Sequence, residues 1–254
     1  MRRSIPATIA LFLLTLLLSW PSLPGALANQ PSNLSPVCDD PATPQASPVT
    51  EGAGVPLVPI LDGPIGVFHS DASEIELEHG NALVWRSGER GVLLLHGAAY
   101  DALSWDPQAQ ALASQGYTVL ALEELSPDAV RDGISYLLDA CNTSGVTVIG
   151  ASAGGGPALT ALADDPAGIS GLILLGATGD VGGLGEYPKL FVASEDEGLA
   201  ERLTTMADQA PGDRNETLIL PGSAHAQAVF ESAQGDALVD AILTFLNDTA
   251  AWDE

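Results

Sequence analysis

The sequence predicts a single doubly wound α/β domain, a mostly parallel sheet with helices on both faces. Three observations carry this. Short apolar runs, of the kind a strand buried on both faces needs, recur along the chain and alternate with helix-length amphipathic stretches. Shorter strands with tight connections precede them and suggest an antiparallel edge. One strand, Val146–Ile149, runs directly into Gly150-Ala151-Ser152-Ala153-Gly154, a tight turn that then continues as helix.

Taken in order, Ile65–Phe68, Glu74–Glu78 and Ala82–Trp85 read as the short edge strands, the last following a Gly80-Asn81 turn. Gly91–His96 is the first continuous apolar run. A helix is expected over Ala102–Gln115, stopped by Gly116, and a buried strand over Tyr117–Leu122. Ser126-Pro127-Asp128 caps a helix running to about Cys141, with Val130, Ile134, Leu137 and Leu138 on one face. After the turn at Ser152, the helix ends near Asp164-Asp165-Pro166. Strands follow at Ile169–Leu175, Lys189–Ala193 and Thr217–Leu220, and helices at Glu197–Ala210 and Ala226–Leu246. Between Leu175 and Lys189 there is room for a glycine-rich loop but not for a helical lid.

The 254 residues divide into three parts. Residues 1–28 have a basic start (Arg2, Arg3), a leucine-rich apolar run from Ala7 to Trp20, and Ala26-Leu27-Ala28. This is the pattern of a cleaved signal peptide, too short in its apolar part to span a bilayer. Residues 29–59 are rich in Pro, Ser, Asn and Asp and read as an extension, and residues 60–250 as the α/β domain. The chain is therefore expected to be exported. Its formal net charge of −25, deepened by loss of the two arginines, makes nucleic acid and anionic membranes unsuitable partners. Two cysteines, Cys38 and Cys141, form no metal-ligand cluster, and export makes a single bridge between them chemically possible. No phosphate loop, HExxH or CxxC occurs, so neither a metal nor another cofactor is implied.

The chemistry centres on Ser152. A hydroxyl at the apex of a strand–turn–helix elbow needs minimal neighbours, here Gly150, Ala151, Ala153 and Gly154, because the backbone is strained there. A serine is a poor nucleophile unless a base lies within hydrogen-bond reach. His225, after the last strand in Pro221-Gly222-Ser223-Ala224-His225, is the candidate base, and His69 and His79 read as surface residues. The loop after Ala193 offers Glu195, Asp196 and Glu197 as acids.

With His96-Gly97 closing an early strand, Gly-x-Ser-x-Gly at 150–154, an acid after a late strand and His225 after the last, the chain resembles the α/β-hydrolase superfamily. The resemblance covers about Ile65 to Leu246. It implies a serine hydrolase acting on carboxylic esters, with Ser152 as nucleophile, His225 as base and Asp196 as the acid. Glu195 is the second choice of acid and Asp180, after the preceding strand, a third. It also implies an oxyanion hole of two backbone N–H groups, from Ala153 and Ala98, with His96 shaping the turn. Tyr100 and Trp105 are candidates to wall the site, Trp105 equally for the core. The HGAAY continuation departs from the HGGG of some lipases and esterases. A small soluble ester is the expected substrate, with a thioester, a dienelactone or a peptide as alternatives, or binding without catalysis.

Overall fold

The computed structural model describes residues 71–250. Eight strands form one sheet in the order β1-β2-β4-β3-β5-β6-β7-β8. They are β1 (Ser73–Leu77), β2 (Gly80–Trp85), β3 (Arg90–Leu95), β4 (Tyr117–Leu122), β5 (Gly145–Ala151), β6 (Ile169–Leu175), β7 (Lys189–Ser194) and β8 (Asn215–Leu220). β2 is antiparallel to both neighbours, and every pairing from β4 to β8 is parallel. The strand expected at Ile65–Phe68 lies outside the described residues, as do the signal-peptide and extension segments and Cys38. Cys141, half-buried, carries no free thiol.

The parallel strands β3 to β7 are largely apolar and buried on both sides because both sides are covered, whereas the edge strand β8 is buried only at Leu220. Leu93, Leu95, Leu120, Val148, Leu174 and Phe191 face one core, packed by α2 (Pro127–Ser135), α3 (Gly155–Leu162) and α4 (Ala200–Gln209). Val92, Leu94, Val119, Ile149, Ile173 and Val192 face the other, packed by α1 (Asp106–Ser114) and α5 (Gly235–Ala250). The strict alternation along each strand assigns successive side chains to opposite layers.

Three helices differ from the reading of the sequence. The first begins as a 3-10 turn, Ala102–Trp105, capped by the Asp101 carboxylate, before α1 starts with Pro107 in its first turn. The fourth starts at Ala200 rather than Glu197, because a turn through Gly198 (φ +81°) intervenes. The last is broken: a 3-10 segment, Ala226–Glu231, precedes α5, and the chain folds so tightly between them that a side chain on Gly235 would collide with the Phe230 carbonyl.

Lys189, at the start of β7, is completely buried. Its Nζ donates to the carbonyls of Gly185 (2.6 Å), Tyr187 (2.7 Å) and Pro211 (2.7 Å) and lies 4.5 Å from the Tyr187 ring centre. Burial pushes this ammonium down to about 8, against the opposing pull of Asp165 and Glu186.

The register places the ends of β3, β4, β5, β6, β7 and β8 side by side: Leu95 opposite Leu122 and Gly150, Ala151 opposite Leu175, Ser194 opposite Leu220. Residues just beyond these ends share one edge of the sheet. That edge is where a crevice forms in an open parallel sheet.

Candidate active site

Ser152 follows β5 directly and adopts φ +46°, a left-handed conformation that costs a residue with a side chain about 1–3 kcal/mol. The cost is sustained by close packing around the turn. A Cβ on Gly154 would lie 2.6 Å from the Leu95 Cβ, and one on Gly155 would lie 2.2 Å from the Ala177 Cβ. The small residues seen in the sequence are thus required by contact with β3 and with the chain after β6. The turn leaves Ser152 half-buried at the sheet edge, with α3 starting three residues later.

His225 reaches Ser152 across this edge. The Ser152 hydroxyl donates to His225 Nε2 at 2.8 Å, and Nδ1–H donates to Glu197 Oε2 at 2.5 Å. The ring is half-exposed while the Glu197 side chain is 5 % exposed, so the carboxylate is shielded and the imidazole is open to solvent. Two backbone features admit the ring. Ala226 takes φ +51°, turning the chain sharply after the histidine. Gly176, at φ +57° after β6, has no side chain where a Cβ would sit 2.9 Å from His225 Nδ1 and Cε1.

The acid is a correction to the sequence reading. Asp196 does not meet His225, and neither does Glu195. Their backbone N–H groups continue the ladder between β7 and β8, donating to Gly222 O and Leu220 O at 2.8 Å, and both side chains are exposed. One residue further on the chain folds back. There Glu197 Oε1 accepts the Ser194 N–H at 2.5 Å, leaving Oε2 for the histidine. Asp180 is exposed and accepts from Gly182 N–H at 2.9 Å.

The remaining expected residues are placed as follows. His96 is buried, with Nδ1 2.8 Å from the Gly97 carbonyl and Nε2 3.1 Å from the Glu123 carbonyl, a ring that shapes the turn after β3. Gly97 approaches Ser152 closely, a Cβ there lying 3.7 Å from the Ser152 Cβ. Ala98 follows it and Ala153 follows Ser152, and both are exposed. Trp105 is a core residue, buried and edge-on to Phe230 at 5.8 Å, while Tyr100 is half-buried beside Gly97. His79 is exposed, as expected, but bonded: Nδ1 and Asp132 Oδ2 are 2.9 Å apart, and that contact raises its pKa. His69 lies outside the described residues. Between β6 and β7 no helix intervenes.

No protein-family model matches the sequence. Solved structures do match. A predicted CIB-like hydrolase from Thermoplasma acidophilum is 18% identical with a TM-score of 0.55, over 70% of this chain and 97% of that one. The proline iminopeptidase of Mycobacterium smegmatis is 11% identical with a TM-score of 0.57, over 72% and 100%. Taken with the strand order, these decide the architecture. The chain has the α/β-hydrolase fold. An esterase from Exiguobacterium antarcticum is also similar, 13% identical with a TM-score of 0.54 over 69% and 99%. At these identities the likeness is one of fold. In the α/β-hydrolase fold a serine on the strand-to-helix turn, an acid and a histidine follow one another along the chain. In this chain Ser152, Glu197 and His225 follow one another in that order and are in contact.

Proposed function

We propose that the chain is an exported serine hydrolase that cleaves carboxylic esters through an acyl-enzyme. The observation that carries this reading is the continuous contact from Ser152 Oγ through the His225 ring to the Glu197 carboxylate. In this reaction Ser152 Oγ attacks the ester carbonyl as its proton passes to His225 Nε2. Glu197 holds the proton on Nδ1, which keeps Nε2 free to accept, and stabilises the imidazolium. The carbonyl oxygen becomes an oxyanion, stabilised by the N–H groups of Ala98 and Ala153. The tetrahedral intermediate collapses, the C–O bond to the alcohol breaks, and His225 returns its proton to the leaving oxygen. Water then repeats the sequence on the acyl-enzyme and releases the acid.

The names of three similar structures, a hydrolase, an esterase and an iminopeptidase, are in keeping with acyl transfer to water. The open setting of Ser152 and the half-exposed His225 favour small soluble esters over substrates that require an enclosing lid. Export rests on the Arg2–Ala28 segment, and among the described residues no helix is long and apolar enough to cross a membrane. The test is labelling with a fluorophosphonate together with turnover of chromogenic esters of increasing acyl length. Wild type is expected to label at Ser152 and to hydrolyse the short esters. Ser152→Ala is expected to lose labelling and at least about 10⁴-fold in turnover. Absence of labelling in wild type, or its survival in Ser152→Ala, refutes the reading.

A further inference from the structure

Gln227 lies two residues beyond His225, and the hydrolytic scheme gives it no task. Its side chain is nevertheless buried, 5 % exposed, and both ends of its amide are committed. Oε1 accepts the Gly97 N–H at 2.7 Å, and Nε2 donates to Ser104 Oγ at 3.0 Å. Those partners flank the loop after β3, Gly97 at its start and Ser104 in the 3-10 turn that follows it. An amide taken out of water is costly unless paired, and here both halves of one side chain are spent on this single loop.

The loop's own bonds show what this achieves. The Gly97 carbonyl accepts from Tyr100 N–H at 3.0 Å and sits 2.8 Å from His96 Nδ1. Ser104 Oγ donates to the Asp101 carbonyl at 2.5 Å, and Ser104 N–H to the Asp101 carboxylate at 2.8 Å. In a planar trans peptide the N–H of Ala98 points opposite the Gly97 carbonyl. That peptide is therefore fixed on its carbonyl side by Tyr100 and His96, and through the Gly97 N–H by Gln227. Occupied by Gln227, the Gly97 N–H is withdrawn from any oxyanion, which leaves Ala98 to supply the donor. Ala226, at φ +51°, separates the two flanking side chains, His225 toward Ser152 and Gln227 toward this loop.

We infer that Gln227 is a positioning residue that aligns the Ala98 N–H for the oxyanion and ties that alignment to the loop carrying the base. The inference rests on the serine-hydrolase reading and deepens it. Gln227→Met removes both hydrogen bonds at similar length, whereas Gln227→Glu retains an acceptor for Gly97. Gln227→Met is expected to lower kcat for a short chromogenic ester about 10–100-fold with KM within about twofold, and Gln227→Glu to recover most of that loss. A second measurement uses wild type alone: on binding a boronic acid that adds to Ser152, the Ala98 amide resonance is expected to move downfield while that of Gly97 stays.

Several results overturn the inference while leaving the hydrolase standing. They are a folded Gln227→Met with kcat within about twofold of wild type, or an equal loss in Gln227→Glu. A boronate response at Gly97 instead of Ala98 does the same, and decides the matter if Gln227→Met fails to fold. If wild type neither turns over esters nor labels at Ser152, it is the underlying reading that fails.

Discussion

Glu197 reaches His225 because the turn through Glu195 and Asp196 closes its N–H onto the Ser194 carbonyl, and because its Oε1 accepts the Ser194 N–H, which leaves Oε2 for the ring. Spacing along the sequence carries neither fact. Three consecutive acids after β7 look alike until the ladder to β8 is seen to run on through Glu195 and Asp196, which turns them outward. The meeting of Ser152 and His225, by contrast, was legible. The serine announces itself by the tiny residues its strained turn requires, and the histidine by its place after the last strand. The supporting residues were not, since Gly176 and Ala226 act through backbone angles and a close approach to a ring that no linear pattern encodes. The assignment at 197 has a direct test. Glu197→Gln is expected to reduce ester turnover roughly 10²–10⁴-fold, and Asp196→Asn to leave it within about twofold. The reverse order in steady-state kinetics would return the acid to Asp196.

Among the elements, the central strands β3 to β7 followed the sequence closely because burial on both faces demands an apolar run, which is visible without a structure. Helix ends were harder. The apolar pattern after Ala226 continues smoothly through a break at Gly235, where close packing against the Phe230 carbonyl, and not hydropathy, sets the boundary. β7 shows how one buried cation joins elements. The Lys189 ammonium gathers carbonyls from the chain entering β7 and from Pro211, just beyond α4. Lys189→Met leaves three acceptors without their donor and is expected to cost about 2 kcal/mol in urea denaturation at pH 7. The lysine also predicts a pH slope. Its folded pKa, about 8, lies below the ordinary 10.5, so between these values the folded protein releases its proton first and stability rises with pH. Burial raises the pKa values of Tyr117 and Tyr187, which gives the opposite slope above the ordinary tyrosine value of 10. The gain from Lys189 is therefore to be read between pH 8 and 9.5, as a slope present in wild type and absent from Lys189→Met.

Over the described residues, exposed acids stand at both edges of the sheet, Glu89, Asp213 and Glu216 at the edge opposite Ser152 among them. Arg90 and Lys189 begin β3 and β7, and Arg214 stands just before β8, all at the edge opposite Ser152. At the edge of the candidate site Glu123, Glu195 and Asp196 are exposed. Within a chain of net charge −25 these acids oppose the approach of anions to Ser152. An ester bearing a carboxylate is expected to show a kcat/KM about tenfold below that of an equal-sized trimethylammonium ester at low salt, the two converging as salt is raised. A ratio unmoved by ionic strength would show that local contacts, and not the field, set the preference.

Lys189 is the one lysine in the chain, and the fold seals it. The native molecule thus presents no lysine amine to acylating reagents or to lysine-specific proteases. Modification at that position becomes a clock for opening: its rate counts the excursions in which β7 and the Gly185–Tyr187 segment come apart, read against a background that no other lysine contributes.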